Sequence, residues 1–281
     1  MNTSNINFAR TLRLFITVLV FNPLLSLMAE SGSQTAFSGS YNVGSGGDFT
    51  TITEAINHLT SGGVTGPVTL FLIDATYLSE TVPLTIGAIP GASAVNTITL
   101  KPAPGVVPVI AKSSNSALIK FDGASHFIID GSNTAGGTTR DLTIRNTSTY
   151  SWATVVWIAS KGAGEPSSFI TITNCYMEGG VVSTNSMGVA ITGTSSTFSA
   201  GESNNHISIS NNQVSKCLYA ITVYGGNTNR ASELSITGNL VGNSASSLYV
   251  GKFGIYLLNT TGSEITGNTI FNIVSSGSGP V

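Results

Sequence analysis

The feature that most constrains this chain is a repeat of short apolar strands with no helix between them. One strand type alternates isoleucine with serine or threonine, and its copies share an isoleucine at positions 144, 172, 209, 236 and 265. A second type begins at Met187, Tyr219 and Phe253, with 153–158 as its first member. Two strands per repeat of roughly 27 to 37 residues predict one coil of a solenoid. The missing helices exclude doubly wound, leucine-rich, ankyrin and tetratricopeptide folds.

Stacking of coils predicts where individual side chains lie. Asn212, Asn239 and Asn268 each follow the shared isoleucine by three residues, so we expect them to form an amide ladder. Thr147 and Cys175 hold the same position in earlier coils, so the ladder starts late. The column that begins the second strand type, Met187, Tyr219 and Phe253, is predicted to pack in the core.

The segment before the strands predicts a helical cap. Thr51 and Glu54 have the spacing of a capping box, and the apolar residues from Ile52 to Leu59 fall on one helical face. We therefore divide the chain into a flexible lead-in at 30–40 and a β-helix at 41–281. Within the β-helix, the cap covers 41–66 and the coils cover 67–281.

Residues 1–29 have the pattern of a signal peptide. Arg10 and Arg13 precede an apolar run that Asn22-Pro23 interrupts, which leaves it short of a membrane span. Cleavage after Ala29 would release a secreted or cell-surface protein without membrane insertion.

Composition excludes several classes of function. Only 9% of the 281 residues are charged and the formal net charge is −2, so we expect no nucleic-acid partner. Two cysteines cannot build a disulfide scaffold or a four-cysteine zinc site, and we expect no metal and no cofactor. Cys175 and Cys217 are compatible with either one bridge or two buried thiols.

Residues 43–56, Val-Gly-Ser-Gly-Gly-Asp-Phe-Thr-Thr-Ile-Thr-Glu-Ala-Ile, resemble the opening segment of pectin-lyase-like right-handed β-helix proteins, including pectin methylesterases. The resemblance covers most of 41–271, and it implies an all-β, right-handed parallel β-helix solenoid with a short N-terminal capping helix. The chain also resembles long surface β-helix proteins of Gram-negative bacteria, some of which carry a C-terminal sorting domain. Because 275–281 ends where another strand should begin, we expect a C-terminally truncated fragment.

The enzymes of this superfamily carry acidic motifs that are missing here. The chain has no Gln-Asp, Asn-Thr-Asp, Gly-Asp-Asp or Gly-His-Gly segment, and Arg140 and Arg145 lack an acidic calcium-binding neighbourhood. Titratable groups gather between Lys120 and Arg145, which makes Asp122, Asp130 and Asp141 weak catalytic candidates for acid and base roles. The competing interpretation is that Asp122-Gly123 and Asp130-Gly131 are turns, and we assign no catalytic residue.

Three functions therefore remain open at the level of sequence. We favour a secreted or cell-surface scaffold or adhesin-like protein that binds a glycan or a surface protein, with Trp152 and Trp157 as sugar-stacking candidates if they face outward. The alternative is a polysaccharide lyase or glycoside hydrolase acting on acidic glycans. A minor alternative is ice binding by rows of threonine and serine, which Arg145 and Glu264 would interrupt.

Overall fold

The computed structural model describes residues 36–162 and 164–274, and these are nearly all β-structure. The first eight strands are β1 (Phe37–Val43), β2 (Val64–Leu72), β3 (Thr76–Tyr77), β4 (Leu84–Ile86), β5 (Ile98–Pro102), β6 (Val109–Lys112), β7 (Ala117–Asp122) and β8 (Ser125–Asp130). The next eight are β9 (Leu142–Asn146), β10 (Thr154–Ala159), β11 (Ser168–Thr173), β12 (Cys175–Glu178), β13 (Met187–Thr192), β14 (Ser208–Ser210), β15 (Gln213–Ser215) and β16 (Tyr219–Tyr224). The last are β17 (Ala231–Ser232), β18 (Ser235–Thr237), β19 (Leu240–Val241), β20 (Phe253–Leu258), β21 (Thr260–Thr261), β22 (Glu264–Thr266) and β23 (Thr269–Ile270). The α-helix α1 spans Ile52–Gly62, and a 3-10 turn spans Ser246–Leu248.

Three parallel sheets form the walls of a solenoid of about seven turns. Sheet A has the order β1-β2-β5-β8-β11-β14-β18-β22, and sheet B has the order β3-β6-β9-β12-β15-β19-β23. Sheet C has the order β4-β7-β10-β13-β16-β20, and β17 pairs with β21. From β2 to β16, successive strands along the chain belong to different sheets, so each coil pairs with the next coil. The predicted parallel β-helix with a short N-terminal helix is confirmed.

Each coil contributes three strands, whereas the sequence predicted two. Ile172, Ile209, Ile236 and Ile265 pair in register in sheet A, as predicted. Ile144 does not belong to that column, because it pairs with Met177 in sheet B, and Ile129 takes its place beside Ile172. The error arose because strands of sheets A and B share the same alternation of apolar and polar residues.

Helix α1 covers the first coil through its apolar face. Ile52, Ala55, Ile56 and Leu59 are buried, and the Thr51 hydroxyl accepts a hydrogen bond from the Glu54 amide at 3.0 Å. The Glu54 carboxylate returns to Thr50, whose amide lies 2.8 Å from it, and not to the capping residue itself. The apolar side chains of the cap and of the coils form one continuous core.

The column of Met187, Tyr219 and Phe253 lies on the outer face of sheet C, which corrects the prediction that it packs in the core. Strict alternation would place Met187 on the same side as Val189, but Val189 belongs to the solenoid core and Met187 does not. At Gly188 an added Cβ would lie 2.3 Å from a Val214 methyl group, so this position faces the interior. Met187 is buried in a separate cluster outside the solenoid core.

The described residues also bear on the remaining boundaries. Strand β1 begins at Phe37 and pairs with β2, so four residues of the predicted lead-in belong to an ordered strand. Cys175 and Cys217 are two separate buried thiols. The predicted signal peptide and the truncation at 281 lie outside the described residues, and within those residues no helix is long and apolar enough to cross a membrane.

Candidate functional site

An aromatic surface covers the outer face of sheet C. Lys120, Trp157, Ala190, Thr222 and Tyr256 follow one another in register across five strands of this face. Trp157, Met187 and Ala190 form a buried cluster against which Phe198 and Tyr219 pack. The described part of the chain thus has a second apolar cluster, separate from the core and close to solvent.

A loop between β13 and β14 places Phe198 at the centre of this surface. The Gly193 amide donates to the Ser199 carbonyl at 2.9 Å, and the Gly201 amide donates to the Tyr224 carbonyl at 2.7 Å. The Phe198 ring centroid lies 5.5 to 6.0 Å from four other rings, those of Trp152, Tyr219, Tyr224 and Tyr256. Such distances are typical of favourable aromatic pairs, which fix the loop over the sheet.

Beside this loop a cavity of about 200 Å³ opens between Trp152 and Trp157. Its wall combines rings with uncharged polar groups, from Asn115, Ser116, Tyr150, Ser151, Trp152, Trp157, Ser195, Ser196 and Thr197. Trp152 is 37% exposed and Tyr150 is 60% exposed, so both rings reach solvent at the cavity. We call this cavity and its two exposed rings the sheet C groove.

The two tryptophans have different roles. Trp157 is nearly buried, and its indole Nε1 donates to the Thr192 hydroxyl at 2.8 Å, which makes it the floor. Trp152 has a φ of 72°, in the left-handed region that non-glycine residues rarely adopt. Its amide donates to the Asn185 carbonyl, and its own carbonyl accepts from Thr154 and Thr197. These bonds fix the backbone from which the exposed ring projects.

Sheet C also carries Asp122, one of the three weak catalytic candidates. The Lys120 ammonium lies 2.9 Å from Asp122 Oδ1 and 4.7 Å from the centre of the Trp157 ring. Asp122 is therefore an ion-paired side chain beside the aromatic surface.

The other two candidates, Asp130 and Asp141, lie at the two ends of the connection from β8 to β9, with Asp130 as the last residue of β8. Asp130 pairs with Lys101 at 2.9 Å, and its other oxygen accepts from the Ser132 amide and the Asn174 side chain. Asp141 accepts from the Asn133 amide at 2.9 Å and the Thr139 hydroxyl at 2.7 Å. The structure separates both residues from Asp122 in sheet C, since Asp130 ends a strand of sheet A and Asp141 precedes a strand of sheet B. Each carboxylate has the hydrogen bonds of a turn.

The remaining titratable residues between 120 and 145 are also distributed over the coils. The His126 ring stacks on Phe169 with centroids 4.6 Å apart, and burial lowers the pKa of this histidine. Arg140 donates to the Asn211 backbone and side chain, both at 2.7 Å. Among the described residues, no group of three or more His, Cys, Asp or Glu side chains has an arrangement that could hold a metal ion.

The predicted hydroxyl rows exist on the outer face of sheet A. Thr173, Ser210, Thr237 and Thr266 pair in register, and so do Thr171, Ser208 and Ser235. Arg145 does not interrupt them, because it lies in sheet B, whereas Glu264 does. The rows also meet Ile128 and Asp130 in β8, which limits the uninterrupted hydroxyl surface to four strands.

Sequence reasoning identified Trp152 and Trp157 but missed Phe198 and Tyr150. Both residues lie in connections rich in Ser and Thr, where no periodicity assigns a direction to a side chain. The available signal was an aromatic residue in an otherwise polar segment, with Phe198 alone in its connection and Tyr150 two residues before Trp152.

Comparison with known proteins gives few relatives. No family model matches the chain, and no curated protein matches it. A crystal structure of pectin methylesterase from Aspergillus niger, in deglycosylated form, matches at 16% identity and a TM-score of 0.42. That match covers 88% of this chain and 89% of the other. The same enzyme in penultimately deglycosylated form matches at 14% identity and a TM-score of 0.42, over 86% of this chain and 79% of the other.

Likeness at this level carries no argument about activity. The fold is instead evident from the strand order and register. The chain is a parallel β-helix of about seven turns, with an aromatic groove on the outer face of sheet C.

Proposed function

We propose that this chain is a secreted or cell-surface scaffold, adhesin-like in role, that binds a glycan in the sheet C groove without cleaving it. The observation that carries the proposal is the exposed ring of Trp152 beside a cavity lined by hydroxyl and amide groups. Aromatic rings present a flat apolar face to the C–H groups of a sugar, while hydroxyl and amide groups fix its orientation.

The groove favours a neutral saccharide. No charged side chain is among the described residues that line it, and the nearby Lys120 and Asp122 neutralise each other. A cavity of about 200 Å³ is smaller than the ~300–1,000 Å³ typical of pockets for drug-sized ligands. We therefore expect one sugar ring of a longer chain to occupy it, with neighbouring units lying across Tyr150 and the Phe198 loop.

Binding of neutral oligosaccharides tests the proposal. Affinity electrophoresis or calorimetry with glucan, xylan and chitin oligosaccharides should identify at least one ligand. Trp152→Ala should weaken its binding about tenfold, since loss of a stacked ring removes roughly 1.4 kcal/mol. Phe169→Ala is the matched control, because it removes a ring of similar exposure from sheet A and should leave the affinity unchanged.

The non-catalytic part of the proposal has its own test. The same incubations, extended to pectins and alginates, should release neither reducing ends nor unsaturated products. Release that disappears in Asp122→Ala, Asp130→Ala or Asp141→Ala would replace the scaffold with the lyase or hydrolase alternative. A wild-type chain that binds no oligosaccharide, or a Trp152→Ala variant that binds normally, would also refute the proposal.

Export is the second element of the proposal, and it rests on the N-terminal pattern of residues 1–29. Expression of the full-length protein in a Gram-negative host should give a mature N-terminus near Glu30 and labelling of intact cells or recovery from the medium. An uncleaved protein in the cytoplasm would contradict it.

A further inference from the structure

A second polar pocket lies on the outer face of sheet B, on a different wall of the solenoid from the sheet C groove. It has a volume of about 200 Å³, and its wall includes Thr143, Arg145, Tyr176, Glu178, Gln213 and Leu248. We call it the sheet B pocket. Two features point to a ligand, an exposed ring in the wall and a charged group that gains a second cation from Lys216 beside the wall.

Two cationic side chains, those of Arg145 and Lys216, form ion pairs with the Glu178 carboxylate. Arg145 Nη2 lies 3.0 Å from Glu178 Oε2, and Lys216 Nζ lies 3.5 Å from Glu178 Oε1. The Glu178 side chain is 15% exposed, whereas the Arg145 side chain is 41% exposed. Arg145 and Glu178 are the charged side chains among the described lining residues, and Lys216 lies beside them. The three side chains together have a net charge of +1, and the Arg145 side chain is partly open to solvent.

The coil stacking fixes this arrangement. Arg145, Glu178 and Ser215 are register partners on β9, β12 and β15. Lys216 follows β15 with a φ of 54°, and its amide donates to the Leu248 carbonyl at 3.0 Å. The 3-10 turn that carries Leu248 is thereby tied to the backbone of Lys216, so the cation and the apolar wall are positioned together.

A ring lies beside the charged group. Tyr176 pairs with Thr143 and Gln213 on the adjacent row of the same face, and it is 41% exposed. Its ring and Leu248 supply apolar surface next to the guanidinium of Arg145. The pocket therefore offers charged hydrogen-bond donors for an oxyanion and an apolar surface for the ring that carries the oxyanion.

We propose that the sheet B pocket binds a carboxylate attached to a single six-membered ring. The carboxylate accepts hydrogen bonds from Arg145 and Lys216, and the ring packs against Tyr176 and Leu248. A sugar acid and an aromatic acid share this chemistry. The proposal goes beyond neutral-glycan binding in the sheet C groove and does not depend on it.

NMR titration of the full chain tests the site with paired probes. Glucuronate is compared with glucose, benzoate with benzyl alcohol, and acetate serves as a carboxylate without a ring. At least one ring acid should bind about tenfold more tightly than its neutral partner and than acetate. The stronger of the two acids identifies the source of the ligand. Equal affinities within each pair, or acetate binding as tightly as both ring acids, would overturn the proposal.

Variants locate the binding. Arg145→Gln and Lys216→Gln should each weaken binding of the ring acid about tenfold, because each removes a charged donor. Lys161→Gln is the control, since this lysine is exposed and pairs with Glu165 elsewhere. Circular dichroism verifies that each variant folds, and Lys216→Gln alone suffices should Arg145→Gln fail to fold. Unchanged affinity in the folded variants would contradict the site.

Each of the two proposals can be refuted without refuting the other. Trp152→Ala should leave binding of the ring acid unchanged, and Arg145→Gln should leave binding of neutral oligosaccharides unchanged. Loss of ring-acid binding in Trp152→Ala would assign the acid to the sheet C groove and overturn the sheet B pocket.

Discussion

Asparagine side chains connect successive coils at the corner between sheets A and B. Asn239 Oδ1 accepts from the Asn212 amide at 3.0 Å, and Asn268 Oδ1 accepts from the Asn239 amide at 2.9 Å. Each Nδ2 group donates to an isoleucine carbonyl of the preceding coil, for example Asn239 to Ile209 at 2.7 Å. These side chains satisfy backbone groups that the corner removes from the sheets. The ladder continues to Cys175, whose amide donates to Asn212.

Asn239→Ala should lower the free energy of unfolding by about 2–4 kcal/mol, because it leaves the Asn212 amide and the Ile209 carbonyl buried without partners. Urea denaturation monitored by circular dichroism measures this loss. Asn272→Ala is the matched control, since its exposed amide makes one bond to the Asn243 carbonyl. Equal stability of the two variants would show that the ladder does not support the coil corner.

The buried thiols predict a pH dependence of stability. Burial raises the pKa of Cys217 to about 12 and raises that of Cys175 further above its ordinary value. Both thiols stay protonated in the folded chain while the unfolded chain begins to ionise near pH 8.5. Their contribution to stability is therefore complete below that pH and is lost as the pH rises toward 12.

Between pH 7.5 and pH 10 the unfolding free energy should fall, with on the order of 2 kcal/mol from each thiol. Urea denaturation at both pH values measures the fall, and Cys217→Ala should reduce it whatever the variant's stability at pH 7.5. The same pH dependence in the variant and the wild type would contradict protonated burial of Cys217.

The sequence predicted the asparagine ladder at 212, 239 and 268, because each asparagine follows the shared isoleucine of its repeat by three residues. It did not predict the adjacent column in which Asn174 bonds Asp130 and Asn211 bonds Asn174, both at 2.7 Å. Asn174 and Asn211 have positive φ, whereas the next coils carry Gly238 and Gly267 at this turn. This column is set by the left-handed backbone conformation at the turn. The residue type changes from Asn to Gly along the column, so no repeated residue marks it in the sequence.

At the scale of elements, helix α1 depends on a side chain from the first coil. The Glu80 carboxylate accepts from the Ile52 and Thr53 amides, each at 2.8 Å, and from the Thr53 hydroxyl at 2.6 Å. Glu80 is 2% exposed, so its negative charge is removed from water. These donors and the positive end of the helix offset that charge. The capping box at Thr51 was predictable, but this contact across 28 residues was not.

Glu80→Ala should lower the unfolding free energy by about 2–3 kcal/mol, because it removes a charged acceptor from buried amides at the start of α1. Thermal unfolding with a far-ultraviolet helix signal measures the effect. Glu54→Ala provides the comparison on the same helix: its carboxylate makes solvent-exposed hydrogen bonds to Thr50, and its removal should matter less. A larger loss in Glu54→Ala than in Glu80→Ala would contradict this assignment.

The sequence identified the strands of sheets A and C as two repeating types, but it did not identify the strands of sheet B as a third type. Strands of sheet B after β12 have only two or three residues, as in β15 and β19, which is too short for an alternation to be recognised. The sequence therefore merged β9 with the strands of sheet A. The strands of sheets A and B are distinguished by which strands of the neighbouring coil they pair with, and not by their local sequence pattern.

For the whole molecule, the repeat without helices was sufficient to predict the solenoid, because parallel coils are the simplest way to pair such strands. The candidate site was less predictable. Trp152 and Trp157 were identified as residues whose direction would decide their role. The Phe198 loop and the inward position of Gly188 depend on contacts between coils, which no single repeat contains.

The central claim is that a neutral glycan occupies the sheet C groove and remains intact. A crystal structure of the chain with the tightest-binding neutral oligosaccharide tests it most directly. We expect one sugar ring stacked on Trp152, with hydroxyl contacts to the 195–197 segment and an unbroken oligosaccharide. An oligosaccharide bound on another face, or cleaved beside Asp122, would contradict the account.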